Sequence, residues 1–201
     1  MLIKIYPENP NERSVAQVVE TLRADGVAIY PTDGVYAYGC SIRSPKAIEK
    51  LKAIKNKSED SFSIMCPDLS CIADYAKVDT PTFKLLKRNL PGPFTFILKA
   101  SSKVPDKVLA KRKTVGIRMA DNNIALAIAR ELGEPLITSS VKEHDDVVEY
   151  VTDPELINER WGGEVDIVID GGFGTNMPTT LVDVSEGEIE ILRQGGGELV
   201  E

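Results

Sequence analysis

The chain has 201 residues, 42% apolar and 27% charged, with a formal net charge of −7. Its length suits a single domain over 1–201 with a well-buried core, and its acidic total argues against broad nonspecific nucleic-acid binding, which depends on neutralising phosphates. No run of about 18 apolar residues exists, and the N-terminal "MLIKIYPENPNERS" lacks the apolar stretch of a secretion signal, so no membrane span is expected and the cytoplasm is the expected location.

A short strand, "LIKIYP", opens the chain. "NERSVAQVVETLRADG" follows, with Val15, Val18, Val19 and Leu22 at the i, i+3, i+4, i+7 spacing of an amphipathic helix, which Gly26 ends. "VAIYP" and "VYAYGC" read as strands. "SPKAIEKLKAIK" reads as a helix capped by Ser44 with Pro45 in its first turn, burying Ile48, Leu51 and Ile54. A strand "FSIMC" precedes short helices around "LSCIADYA" and "PTFKLLKRNL". "FTFILKA" and "TVGIRM" are strands, "NNIALAIARELGE" a helix, and "PLITSS" a strand with a polar end. "DPELINERWGG" is helical up to Gly162-Gly163. "VDIVID", "TTLVDVS" and "EIEILR" close the chain as strands without helices between them, which predicts antiparallel edges. The interleaving, with no repeat and no low-complexity linker, points to a single α/β layer with a mixed sheet.

Charge is unevenly distributed. Residues 50 to 120 carry 15 Lys and Arg against 6 Asp and Glu; residues 121 to 201 carry 4 against 19. The basic middle permits a local anion site, although most of its lysines read as solvated helix faces. Cys40, Cys66 and Cys71 are too few and too irregularly spaced for a disulfide framework or a zinc site, and read as plain thiols. There is no G-x-x-x-x-G-K-[ST] loop and no G-x-G-x-x-G after a strand. His144 is the single histidine, in "KEHDDVV". Its acidic neighbours read as an exposed loop rather than a metal site, because side chains adjacent in sequence rarely converge on one ion.

Polar and cationic residues gather instead where strands end, the place where α/β sheets hold ligands. Thr32 and Asp33 follow "VAIYP"; Lys55 and Lys57 end a helix; "PGPFT", with Thr95, turns into a strand. Arg118 ends "TVGIR", Thr138, Ser139 and Ser140 end "PLITSS", Pro178 to Thr180 open "TTLVD", and Arg193 ends "EIEILR". Hydroxyls and permanent cations together suit an anionic, hydrogen-bonding ligand such as a nucleotide. Each alone is more often a cap, a turn or a surface charge. The stretch "AIYPTDGVYAYGC" is thus either an ordinary turn or the floor of a pocket.

The motifs "YPTDGVYAYGC", "PGPFTFILK", "TVGIRMA", "PLITSS" and "PTTLVDV" followed by "ILRQG" occur in that order over nearly the whole chain. Together they resemble the YrdC/YciO family. "FSIMC", "KRKTVGIRMA" and a "TSS" without a following asparagine are most similar to its YciO-type branch. The resemblance implies one twisted α/β mixed-sheet domain with a large, positively charged cavity. It implies an L-threonylcarbamoyladenylate synthase, a nucleotidyltransferase that joins L-threonine, bicarbonate and ATP, with Mg²⁺, and releases pyrophosphate. The product serves an adenosine modification in tRNA. The alternative is a family member that binds a nucleotide or double-stranded RNA without this synthesis.

Carried over by motif, the resemblance places Thr32, Arg118 and Thr179 at the amino acid, with Arg118 on its carboxylate. It places Lys55, Lys57, Thr95, Ser139 and Arg193 at the nucleotide. It implies no catalytic acid, base or nucleophile and no protein-borne metal; the work is positioning and charge stabilisation. The family's K-x-R is Lys55-Asn56-Lys57 here, its S-x-N is Ser139-Ser140-Val141, and the second threonine of P-T-D-T is Gly34. Lysine lacks arginine's planar fork, and valine has no amide. The amino-acid half of the motif set is therefore better kept than the nucleotide half.

Overall fold

The computed structural model describes residues 1–55, 62–109, 113–141 and 148–201. Its elements are β1 (Leu2–Lys4), α1 (Glu12–Arg23), β2 (Ala28–Tyr30), β3 (Ala37–Ser41), α2 (Pro45–Ile54), β4 (Ser63–Met65), α3 (Leu69–Tyr75), α4 (Thr80–Asn89), β5 (Phe94–Lys99), β6 (Thr114–Arg118), α5 (Asn123–Leu132), β7 (Leu136–Ser140), α6 (Glu149–Thr152), α7 (Pro154–Trp161), β8 (Ile167–Asp170), β9 (Thr180–Asp183) and β10 (Glu190–Arg193).

Helix starts follow side-chain chemistry. Asn11, Ser44, Asp68, Asp79, Asn122 and Asp153 each accept a hydrogen bond from a backbone N–H of the first turn, which satisfies donors the helix leaves open. The first helix ends earlier than Gly26 suggests. Ala24 is its cap, and Asp25 takes a left-handed φ of 62°. Gly26 remains necessary, because a Cβ there would lie 2.4 Å from the Thr21 carbonyl oxygen. The four-residue α6 and a 3-10 turn at Asp106–Val108 lack the length to leave a periodic sequence signal.

The strands form one ten-stranded mixed sheet in the order β1-β8-β2-β3-β7-β4-β6-β5-β9-β10. β9 and β10 pair antiparallel at one edge, as the closing strands suggest, but β8 pairs parallel with β1 and β2 near the other edge. On one face α2, α3, α4, α6 and α7 pack onto Ile29, Tyr38, Ile64, Phe96 and Ile137. On the other, α1 and α5 cover Ala28, Tyr30, Met65, Leu136 and Ile167. Strand alternation puts Ser63, Thr95, Gly116, Arg118 and Thr138 on this second face too. They lie beyond the apolar cluster under α1 and α5. That half of the face is the concave floor of the site.

The concavity follows from the connection between β8 and β9. Flat, the seven strand spacings between them would span about 34 Å. The ten Cα steps from Asp170 to Thr180 reach at most about 35 Å, and they are not extended. Gly172 has a φ of 90°, a Cβ on Gly174 would touch the Tyr36 ring at 2.9 Å, and the Met177 carbonyl sits over Gly34. The sheet therefore curls, and the 171–179 connection crosses its open side above the Thr32–Gly34 turn.

Cys40, Cys66 and Cys71 are free thiols. Burial pushes Cys40 up to about 12, so it packs as a small apolar residue. No described helix is long and apolar enough to cross a membrane. His144 and Lys57 lie outside the described residues.

Candidate functional site

Pro31 breaks β2, and the next residues form a tight polar turn. The Thr32 hydroxyl donates to the Val35 carbonyl at 2.8 Å and accepts from the Gly34 N–H at 2.9 Å. Its single hydrogen is thus committed to the turn, leaving only a lone pair for a ligand. The turn is tied to the start of α5. Asn122 caps that helix through its Oδ1 and donates from Nδ2 to the Thr32 carbonyl at 3.4 Å.

Arg118 ends β6, and its carbonyl accepts from the Cys66 N–H at 2.9 Å. Its Nη2 donates to Asp33 Oδ1 at 2.9 Å, with the two side chains only 9% and 8% exposed. Asp33 Oδ2 accepts from the Asp121 N–H at 2.8 Å. Among the described residues, Arg118 Nε is the one buried side-chain nitrogen or oxygen without a hydrogen-bond partner. An unsatisfied buried donor is costly and calls for a specific acceptor.

The β5–β6 register, Phe96 opposite Ile117, puts Thr95 opposite Arg118. The Thr95 and Thr179 hydroxyls are 2.8 Å apart. Two hydroxyls carry two hydrogens and this bond uses one, so the pair retains a donor. Arg193 donates from Nε and Nη2 to the Thr179 carbonyl at 3.2 and 2.9 Å. Behind them, the Thr180 hydroxyl accepts from the Gly195 and Gly197 N–H groups and donates to the Gly197 carbonyl. This fastens the chain after β10 against β9.

Thr32, Asp33, Arg118, Thr95, Thr179 and Arg193 thus meet at one corner of the open face. Lys55 is elsewhere. Its ammonium donates to the Ser140 carbonyl at 3.0 Å and lies 5.7 Å from the centre of the Tyr38 ring. Ser139 pairs with Tyr38 and shares its face with Ile137, opposite to Thr138 and Arg118. Val141 is buried in the apolar core. Thr138 receives no charge partner; its hydroxyl meets Tyr30 at 2.7 Å and donates to the Tyr38 carbonyl. Burial pushes the Tyr30 phenol up to about 12 against the lowering effect of that bond, so it stays a neutral donor.

Part of the basic middle of the chain is taken up by ion pairs. Lys50, Lys99, Lys103 and Lys107 meet Asp166, Glu186, Asp74 and Glu49. No group of three or more His, Cys, Asp or Glu among the described residues is placed to hold a metal ion. The sequence places Asp33 among the strand-end polar residues without giving it a role, and it does not single out Asn122 or Asp121. The only available signals were the polar turn after an apolar strand and an Asn at a helix start.

Known proteins share this framework. The Sua5/YciO/YrdC family model, described as telomere recombination, matches residues 20–195. The E. coli protein YciO is 40% identical over 198 residues, covering 97% of this chain and 95% of its own. Its crystal structure matches with a TM-score of 0.92 at 39% identity, over 98% of this chain and 97% of that one. A threonylcarbamoyl-AMP synthase of Vibrio vulnificus is 29% identical over 187 residues, 90% of this chain and 98% of the synthase. P. abyssi Sua5, solved with L-threonine, shares the fold with a TM-score of 0.87 at 24% identity, over 98% of this chain and 58% of that one.

Proposed function

The chain belongs to the Sua5/YciO/YrdC family, and on that premise we propose that the Arg118 corner binds the carboxylate of L-threonine as the first substrate of threonylcarbamoyl-AMP synthesis. The observation that carries the reading is the buried Arg118 Nε–H without an acceptor. A carboxylate is the acceptor that suits a planar guanidinium edge. The spare donor of the Thr95–Thr179 pair lies beside it on the same face and suits the substrate hydroxyl. Support also comes from the relatives named threonylcarbamoyl-AMP synthase, 29% identical over 90% of this chain.

In this reading the protein's work is placement. Arg118 fixes the carboxylate, so the amine points into the cavity, where its nitrogen bonds to the bicarbonate carbon and water leaves, giving a carbamate. The carbamate oxygen attacks the α-phosphorus of ATP and pyrophosphate leaves. Arg193, Lys55 and Lys57 are the cations assigned to the nucleotide, although Lys55 must first leave the Ser140 carbonyl. Mg²⁺ would be carried by the ATP phosphates, the usual arrangement for a cation that keeps its waters. It would supply charge neutralisation there. The cytoplasm, where tRNA and ATP are found, is the proposed location.

A second reading has its own observation. Val141 is turned into the core and Lys55 is bound at the end of β7, so the nucleotide half offers few ready donors. A family member that binds its small ligand, or an RNA end, without adenylate synthesis fits this. Pyrophosphate release with L-threonine, bicarbonate, ATP and Mg²⁺ decides between them. Threonine-dependent release supports the synthase. Threonine binding with no release at high protein concentration supports the second reading.

A further inference from the structure

We infer that Asp33 is a positioning residue that presets the Arg118 guanidinium for its anionic ligand. The inference rests on the reading of Arg118 as the carboxylate site.

Three features of the pair carry it. Both side chains are almost fully withdrawn from water, so the ion pair is not a screened surface contact. Asp33 touches Arg118 with one oxygen only, at Nη2. That single bond fixes the guanidinium without consuming Nε, which stays unpaired. Asp33 itself cannot swing. Its other oxygen is held by the Asp121 N–H, and its backbone sits in a turn closed by the Thr32 hydroxyl and tethered by Asn122. The base of the pair is therefore rigid, and Arg118 inherits that rigidity.

Arginine has many rotamers, and ordering it when a ligand arrives weakens binding. A carboxylate already in place removes that cost. A simple competitor would act oppositely. If Asp33 merely occupied Arg118, removing its charge would free the guanidinium and tighten the complex. The two roles thus differ in sign. The geometry favours positioning, because the Nε–H is left without an acceptor while the pair is formed.

The test uses the full chain, with calorimetric titration of L-threonine and NMR of the arginine Nε–H signals. For Asp33→Asn the account expects L-threonine to bind about tenfold more weakly, the scale of ordering one long side chain. L-threoninol, which lacks the carboxylate, should bind the variant and the parent equally. In an Arg118→Lys background, Asp33→Asn should add no further loss of affinity. Unchanged or tighter L-threonine binding by Asp33→Asn, or additive losses in the double variant, would overturn positioning. The NMR arm needs no ligand. The Arg118 Nε–H should exchange slowly in the parent and at least tenfold faster in Asp33→Asn; equal exchange overturns the claim. A parent that does not bind L-threonine sinks the functional reading alone, since the NMR arm still decides the positioning. Should Asp33→Asn not fold, Asp33→Glu takes its place: it keeps the charge, displaces it by one methylene, and should speed Nε–H exchange in the same direction.

Discussion

A Cβ built on Gly34 would stand 3.2 Å from the Met177 carbonyl oxygen. The turn after β2 and the connection before β9 are therefore in backbone contact at the rim of the site, and a glycine makes that approach possible. The threonine that the family pattern has at this position does not fit here without moving the connection.

Gly34→Thr should accordingly push the 171–178 segment outward. Overpacking of this kind costs roughly 1–3 kcal/mol. Denaturant unfolding should show that loss, and chymotryptic cleavage after Phe173 in the connection should speed up. A variant as stable as the parent would mean that Met177 yields freely.

Replacing Thr179 strands the buried Thr95 hydroxyl, and replacing Thr95 leaves the Thr179 hydroxyl only a longer contact with Arg193 Nη2 at 3.4 Å. Thr95→Val and Thr179→Val should each cost about 1–3 kcal/mol, and the double variant less than their sum, because removing both partners leaves no orphan. Unfolding free energies of the four proteins give the coupling directly. Additive losses would show that the bond contributes nothing specific.

Asn122 serves two ends at once, the first turn of α5 and the Thr32 carbonyl. Asn122→Ala should lower stability by about 1–2 kcal/mol through the lost cap. It should also weaken L-threonine binding, because the turn that carries Asp33 loses a tether. Asn122→Asp keeps the cap and should restore most of the stability but not the tether, so the two effects separate in one pair of variants.

Asp166 links the sheet to α2. Burial pushes its carboxyl up, but hydrogen bonds from Lys50 and the Val27 N–H outweigh that and hold it below the ordinary value of 3.8. A depressed folded value stabilises the protein fully above the unfolded value, and the gain disappears as pH falls through the folded one. Lys50 and Asp166 are 40% and 41% exposed, so solvent screening keeps the gain small. Asp166→Asn should lower the Tm at pH 6 and leave it nearly unchanged near pH 2. An equal drop at both values would assign the effect to packing rather than charge.

Much of the fold is legible in the sequence because its signals are local. The valine stripe of α1, Ser44-Pro45 at α2 and the alternation in β5 and β6 each need only a few residues to be read. The order of strands is not local. β8 lies beside β1 and β2, far from β9, and nothing in "VDIVID" distinguishes that place from the end of a meander. At the site, the family motifs bring Thr32, Arg118, Thr95, Thr179 and Arg193 into one corner. They do not indicate that the Thr32 hydroxyl is spent on its own turn or that Arg118 is held by Asp33. Ser139 and Lys55 carry the same motif weight, yet alternation turns Ser139 to the other face and Lys55 finds the Ser140 carbonyl. Such outcomes depend on strand register and on contacts between distant segments.

The account stands on Arg118 receiving a carboxylate. Arg118→Lys tests this most directly, because it keeps a positive charge beside Asp33 while removing the Nε–H and the planar edge. Calorimetric titration of L-threonine should show binding to the parent and at least a tenfold loss in Arg118→Lys, with both proteins folded. Equal affinity in the two, or no binding by the parent, would contradict it.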